Sequence, residues 1–240
     1  VSEPTLFSLW VYLSGSPLAG LTLTLGAYAA AYALYARARL HPLANPVLVA
    51  VAAIAAVLAA THTRYATYFE GAQFVHFLLG PAVVGLGAPL AREWPNVRRL
   101  ALPIAGALAA GAVVAVTSTV ACARLLGATP ATVSALAPKS VTAPIAMGIA
   151  EHIGGVPALA AVFAVITGVL GASCGRSLFD ALRIGDMRAR GFALGVAAHG
   201  IGTARAYQVD AQAGTYAGLG LALHGMLAAI ILPLAWRVFA

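Results

Sequence analysis

Three stretches of this chain, 100–123, 156–175 and 214–236, contain no Asp, Glu, Lys or Arg. Each is long enough, at 1.5 Å rise per residue, to form a helix of about 30 Å, the thickness of bilayer hydrocarbon. Lipid offers the backbone no hydrogen-bond partners, so such a run must be helical to satisfy its own donors and acceptors. Composition agrees: 61% of residues are hydrophobic and only 9% charged, against roughly 25% charged in a soluble domain. The fold class expected is all-α, a polytopic transmembrane helical bundle. Residues 1–240 are expected to form a single integral membrane domain, because no stretch is long and polar enough to fold outside the bilayer.

The remaining hydrophobic runs are less regular. Residues 4–13 read as a short or interfacial helix and Pro17–Ala36 as a first span. Asn45–Thr61 reads as a second span. Gly71–Ala91 reads as a third, broken or kinked at Gly80-Pro81 and Pro89, and Leu100–Ala123 as a fourth. Thr129–Ala150 carries Pro130, Pro138, Lys139 and Pro144, and Gly191–Tyr207 is short and glycine-rich. About 7–8 membrane segments are expected, with broken ones near 71–91, 129–150 and 191–207. The start, VSEPTLFSLW, lacks a basic n-region, so no signal peptide is expected there.

Arginine placement constrains the threading. Arg37/Arg39, Arg92/Arg98/Arg99 and Arg183/Arg188/Arg190 are the dense basic sites, and the positive-inside rule puts all three in the cytoplasm. That count works only if 129–150 does not cross the membrane simply. A re-entrant or discontinuous element satisfies it, and the prolines inside the segment argue the same way. The net charge of +7 is spread over segment ends, where it reads as topology and headgroup contact; nucleic acid is not an expected partner.

Lys139 is the one lysine among the 14 basic residues, and it interrupts an apolar segment, APKSVTAPIA (137–146). A charge at the bilayer centre costs about 2.5–3.5 kcal/mol on insertion scales. Pro138 and Pro144 remove two backbone donors and are expected helix breaks. A broken segment aims half-helix N-termini, with their partial positive charge, at a midplane site. With the ammonium and the hydroxyls of Ser140 and Thr142, that arrangement suits a small anion such as a carboxylate. The alternative is a lysine snorkelling to the interface from a helix end.

A second constellation is HGIGTARA (199–206). Gly200 and Gly202 permit an unwound turn, Thr203 supplies a hydroxyl, and Arg205 offers the fork of donors that binds a carboxylate bidentately. Arg205 at a helix end, touching headgroups, is the competing reading. Gly80 and Pro81 mark a further break, and FLLGPAVVGLGAPL (77–90) shares its proline pattern with ALAPKSVTAPI (135–145). Such paired breaks point to a transporter binding site. Glu151, His199 and His224 are candidates for proton coupling, and sodium coupling through broken-helix carbonyls is equally allowed; a solvated Glu151-His152 loop and hydrogen-bonded packing histidines are the plainer alternatives. No metal spacing and no HExxH, GxSxG or intramembrane aspartate pair occurs, so neither a metal, a cofactor nor an enzyme activity is expected.

These motifs together resemble the LrgB/CidB family of bacterial membrane proteins. The matching pieces are NPVLVA (45–50), FLLGPAVVGLGAPL (77–90), LAPKSVTAPIAMGIAEHIGGVPALAAVFAVITGVLGA (136–172), HGIGTARA and the closing Gly225…Pro233 helix. The resemblance implies the bacterial cytoplasmic membrane and two functions. Some members are antiholin-like modulators of murein hydrolase activity that act with a small LrgA/CidA-type membrane partner. Others, including the plastid glycolate/glycerate translocator, look like carboxylate carriers. His224 departs from the family pattern, where asparagine is frequent. The residues favour a carrier of small monocarboxylates, with Lys139 and Arg205 as the expected charge partners and a homodimer as the expected assembly.

Overall fold

Prolines start the helices of this chain more often than they end them. Pro46, Pro130 and Pro157 stand first in their helices and Pro144 second. The first N–H of a helix has no intrahelical partner, so a residue lacking one costs nothing there. A computed structural model of the chain describes residues 17–38, 44–78, 81, 85 and 87–238. The expected helix at 4–13 lies outside them. The described residues divide after Gly85 into two compact units.

The first unit holds α1 (Pro17–Arg37), α2 (Pro46–Ala60) and α3 (Tyr65–Phe77), with α1 packed on both others. Gly20 allows the α1–α3 approach: a β-carbon there would collide with the Tyr68 carbonyl oxygen and lie 3.2 Å from the Gly71 Cα. The Thr24 and Tyr68 hydroxyls join the two helices at 2.8 Å. Asn45 caps α2 through its side chain, 2.9 Å from the Val47 nitrogen. The reading of Asn45–Thr61 as a full span is corrected by length. α2 has 15 residues and reaches about 22 Å, short of the hydrocarbon thickness. α3 starts before the expected third span and ends at Phe77, ahead of the expected break; Gly80 itself lies outside the described residues.

The second unit runs α4 (Gly87–Arg99), α5 (Ala101–Leu125), α6 (Pro130–Leu136), α7 (Ala143–His152), α8 (Pro157–Ala181), α9 (Met187–Val209) and α10 (Ala211–Ala235), closed by a 3₁₀ turn at Trp236–Val238. α5, α8 and α10 are 25 residues each and, with α1, are long and apolar enough to cross a membrane. α4 carries Arg92, Arg98 and Arg99, so the end of the expected third span is a polar helix.

The segments that separate α5, α8 and α10 fold back on themselves. Gly155 packs against α6: a β-carbon there would lie 2.7 Å from the Ala135 nitrogen. In a continuous helix those residues would be about 30 Å apart. The chain therefore enters along α6, turns through 137–142 and leaves along α7. α9 reverses likewise. His199 has φ 41° and ψ −131° in the middle of it, and a β-carbon on Gly202 would lie 2.7 Å from the Leu194 carbonyl oxygen. Eight residues of straight helix would separate the two by about 12 Å. The segment 191–207, expected to be short and broken, is interrupted at His199, and its two limbs form a helical hairpin with the tip there.

The two hairpins enter from opposite ends of the bundle. The base of the first, at Pro130 and Ile153, lies with Arg124 at the end of α5 and Trp236 at the end of α10. The base of the second, at Met187 and Val209, lies with Phe179 near the end of α8 and Ala213 at the start of α10. Each hairpin is followed by a 25-residue helix, α8 or α10. Pro130–Ala181 and Met187–Ala235 thus share one pattern, a helical hairpin and then a 25-residue helix, entered from opposite ends of the bundle.

Close packing makes the second hairpin possible. β-Carbons on Gly191 and Gly195 would collide with the carbonyls of Ala213 and Ala217 on α10. One residue, Asp210, links α9 to α10 in an extended conformation, and its carboxylate caps α10 by accepting from the Ala213 nitrogen at 2.8 Å. Small residues let membrane helices approach to backbone contact, which supplies the dispersion energy that holds them together in lipid.

Candidate functional site

The hairpin tips meet in the interior of the second unit. A β-carbon on Gly200 would lie 4.0 Å from the Thr142 methyl, so the reversal of α9 faces the turn between α6 and α7. Gly225 of α10 comes to the same level, where a β-carbon would lie 3.2 Å from Ile145 Cδ1 of α7. Three interrupted or glycine-bearing elements therefore converge on one point.

Local chemistry shapes the first tip. Pro138 is fully buried and cannot donate, so α6 gives way to tight turns, with the Lys139 nitrogen donating to Leu136 O at 3.0 Å and the Val141 nitrogen to Pro138 O at 3.1 Å. Thr142 stands at the N-cap of α7, but its side chain makes no capping bond. The first-turn amides of a ten-residue helix thus present their partial positive charge to the tip. Lys139 is half-buried, and its Nζ donates to Ser140 Oγ at 3.4 Å. Ser140 is buried. Among the described residues no carboxylate pairs with the ammonium.

The second tip is built on His199. Its positive φ is unusual for a residue with a side chain, and packing holds it. The ring Nε2 lies 2.8 Å from Ala164 O of α8, and Gly168 leaves space for the ring: a β-carbon there would lie 2.8 Å from Cε1. Thr203 Oγ1 donates to His199 O at 2.8 Å, closing the first turn of the returning limb. That limb, like α7, begins at the tip, so two half-helix N-termini point at one another.

His224, midway along α10, completes the site. It is 4% exposed, and its Nδ1 has no hydrogen-bond partner among the described residues. Lys139 and His199 are both close enough to act electrostatically on its ring. Ser140, His224 and Thr117 line a cavity of about 150 Å³ whose other walls are apolar, among them Pro138, Val141, Val116 and Leu227. That is well below the several hundred Å³ of a drug-sized site. Of the expected site residues Pro138, Ser140 and His224 line that cavity, while Lys139, Thr142, His199 and Gly200 do not. Among the described residues no three of His, Cys, Asp and Glu converge as metal ligands.

The expected residues are only partly assembled. Lys139, Ser140, Thr142, Gly200 and His199 come together with His224, and Gly202 and Thr203 form the first turn behind the tip. Arg205 does not join Lys139, which corrects the expected charge pair. It lies about 9 Å further along the returning limb and lines a separate cavity with Arg176, Asp180 and Arg190. Glu151 is exposed at the far end of α7, about 12 Å from its start, beside His152, whose Nδ1 lies 2.8 Å from Gly148 O. Pro144 is exposed in the first turn of α7, and Pro81 is exposed in the first unit. Gly168 and the Ala164 carbonyl were not anticipated. The glycine spacing at 168, 171 and 175 is the signal that marks that face of α8 as closely packed.

A family model described as the LrgB-like family matches residues 24–238. The chain belongs to the LrgB-like family. Among relatives of this LrgB-like chain, the Bacillus subtilis protein YxaC is 34% identical over 91% of the chain and 95% of its own length. YwbG of the same organism is 33% identical over 79% of the chain and 84% of its own. A Staphylococcus epidermidis protein named holin-like protein CidB is 28% identical over 83% of the chain and 87% of its own. No solved structure matches the chain. The four long apolar helices and the holin-like relatives make this a multi-pass bacterial membrane protein.

Proposed function

We propose that this LrgB-like chain is a carrier of small monocarboxylates of the pyruvate, lactate, glycolate and glycerate class, with both units in one membrane domain. The observation that carries the reading is the opposition of two half-helix N-termini, at Thr142 and Gly200, beside the unneutralised Lys139. Opposed N-termini concentrate positive potential at the middle of the bundle, and an anion of few atoms is what such a point holds. The buried, unpartnered Nδ1 of His224 supports it, since a solute would supply the missing partner. Hairpins entering from opposite faces suit alternating access, because each tip can part from the other without moving the long helices. Lys139 takes the carboxylate, Ser140 Oγ and the first-turn amides orient it, and His224 and His199 are the proton-coupling candidates inside the site.

The test is saturable uptake of labelled pyruvate, lactate or glycolate by proteoliposomes. Uptake that Lys139→Ala abolishes sustains the proposal. No uptake by the purified chain, alone or with a small LrgA/CidA-type partner supplied, overturns it. The second reading, a holin-like regulator of murein hydrolases acting with that partner, draws on the printed name of the staphylococcal relatives. It requires release of a trapped dye or altered lysis that Lys139→Ala leaves unchanged.

A further inference from the structure

The cavity of about 150 Å³ that Ser140 and His224 line lies between α5, α10 and the first tip. Buried Pro138, Ser140 and His224 mark its inner end, and exposed Val113, Thr117 and Ile231 mark its mouth between the two long helices. The Thr117 hydroxyl gives its proton to Val113 O at 2.7 Å, so the mouth offers a solute no free hydroxyl donor. The polar side chains of the inner end are Ser140, 5% exposed, and His224, 4% exposed, whose Nδ1 has no hydrogen-bond partner among the described residues. Lys139 stands outside the wall, yet its Nζ lies 3.4 Å from Ser140 Oγ. Ser140 therefore joins the ammonium to an apolar space. Ala115 of α5 and Ala228 of α10 line that space, and their short side chains keep it open.

We propose that this cavity receives the hydrocarbon part of the carried acid, so that the chain prefers monocarboxylates with an alkyl side chain to hydroxylated ones of the same charge. The inference rests on the carrier reading for the carboxylate at Lys139. An acid held there against Ser140 Oγ directs its remaining atoms past His224 into the cavity. Apolar walls enclosing about 150 Å³ stay dry and accept a group the size of benzene, so a branched alkyl chain fits. Each carbon moved from water into such walls is favourable. A hydroxyl moved there loses its water and meets no free donor along the mouth, which is costly. Ala115 and Ala228 are thus the residues whose size sets the preference.

The experiment measures Kd from the rise in Tm of the purified full chain in detergent, titrated with pyruvate, lactate, glycerate and the branched oxo acid ketoisocaproate. Ketoisocaproate has three more carbons than pyruvate and should bind at least about tenfold tighter, each buried carbon being worth about fourfold. Glycerate should bind several-fold more weakly than lactate. A228L, which fills the cavity, should bring ketoisocaproate back to the pyruvate value; should A228L fail to fold, A115L tests the same space from α5. G106A, outside the cavity, should keep the preference. Equal Kd for pyruvate and ketoisocaproate overturns the inference. So does a preference that survives in A228L and A115L, or one undiminished in K139A, the result that partition into detergent or a lipid-chain site would give. Saturable pyruvate uptake with equal Kd values overturns this inference and leaves the carrier reading standing. The predicted preference without any uptake sustains the cavity and overturns the carrier reading alone.

Discussion

Gly168 of α8 lies against the ring of His199, the residue at which α9 reverses: a β-carbon on the glycine would come within 2.8 Å of Cε1 and 3.0 Å of Nε2. The ring therefore fills the place that any other side chain at 168 would take, and its bond to Ala164 O depends on that vacancy. Gly168→Ala is expected to push the ring away and weaken the tip. Overpacking of this kind costs about 1–3 kcal/mol, and uptake should fall with it. Thermal unfolding and proteoliposome uptake check both parts; a fully active Gly168→Ala chain of unchanged Tm would contradict the packing described.

The reversal itself can be measured. Met187 and Val209 line one cavity, whereas the ends of an unbroken helix over those residues would stand about 33 Å apart. With Cys122 and Cys174, both free, replaced by serine, Met187→Cys/Val209→Cys should react with a bifunctional thiol reagent spanning about 10–15 Å, far short of the straight-helix separation. A protease site placed in the 199–202 tip, followed by denaturing electrophoresis, reveals the intramolecular link. Absence of any link would restore a straight span.

Removing the charge at the tips has a separable consequence. Lys139→Ala should abolish saturable uptake while leaving folding intact, because among the described residues the ammonium makes one long bond to Ser140 and no ion pair. A charge-assisted hydrogen bond to solute is worth about 1.5–3 kcal/mol, or roughly a factor of 10–100 in kcat/KM. Lys139→Arg should recover only part, since the fork does not reproduce a point charge. Arg205→Gln, which acts outside this site, should lower uptake far less than Lys139→Ala.

Backbone contact between α9 and α10 sets a stricter limit. The position of a β-carbon at Gly195 is occupied by the Ala217 carbonyl, and a backbone atom cannot rotate away. Gly195→Ala is therefore expected to separate the helices and destabilise the second unit by at least about 1–3 kcal/mol. Gly106 meets nothing within 4 Å, so Gly106→Ala should be neutral or slightly stabilising in a helix. Paired melting curves in detergent distinguish the two.

Acid should act on the loop before α9 by a known sign. Hydrogen bonds from Arg188 hold the Asp186 carboxyl at about 2, below its ordinary 3.8. The same carboxylate caps α9 at the Arg188 nitrogen, 2.8 Å away. A depressed folded value means that the stabilisation is present above pH 3.8 and is lost as pH falls toward 2. Asp186→Ala should cost about 1 kcal/mol at neutral pH, as N-cap losses do. Tm measured at pH 7 and again near pH 2 should show the difference between the two chains closing in acid.

Much of this fold is legible in the sequence. Charge-free runs marked α1, α5, α8 and α10, because lipid forces an apolar run of that length into one continuous helix. Basic residues at 92–99 and 183–190 require an even number of crossings between them, and α5 and α8 are the two described helices of that stretch long and apolar enough to cross a membrane. Pro138, Lys139 and Pro144 marked the first tip, since each is expensive inside an intact membrane helix. The second tip was half legible. Glycines at 200 and 202 signalled a break in α9, but a break does not say whether a helix continues or turns back.

Local chemistry by itself determined the helices, their interruptions and the cationic character of 137–142. Direction and company were decided by the tertiary structure. Thr142 meets Gly200 because two hairpins from opposite ends of the bundle reach the same depth, and nothing in the spacing of 142 and 200 encodes that depth. Arg205 looked like the natural partner on chemistry alone. The reversal at His199 carries it outward, toward Arg176 and Arg190, because each residue after a helical tip returns about 1.5 Å toward the surface.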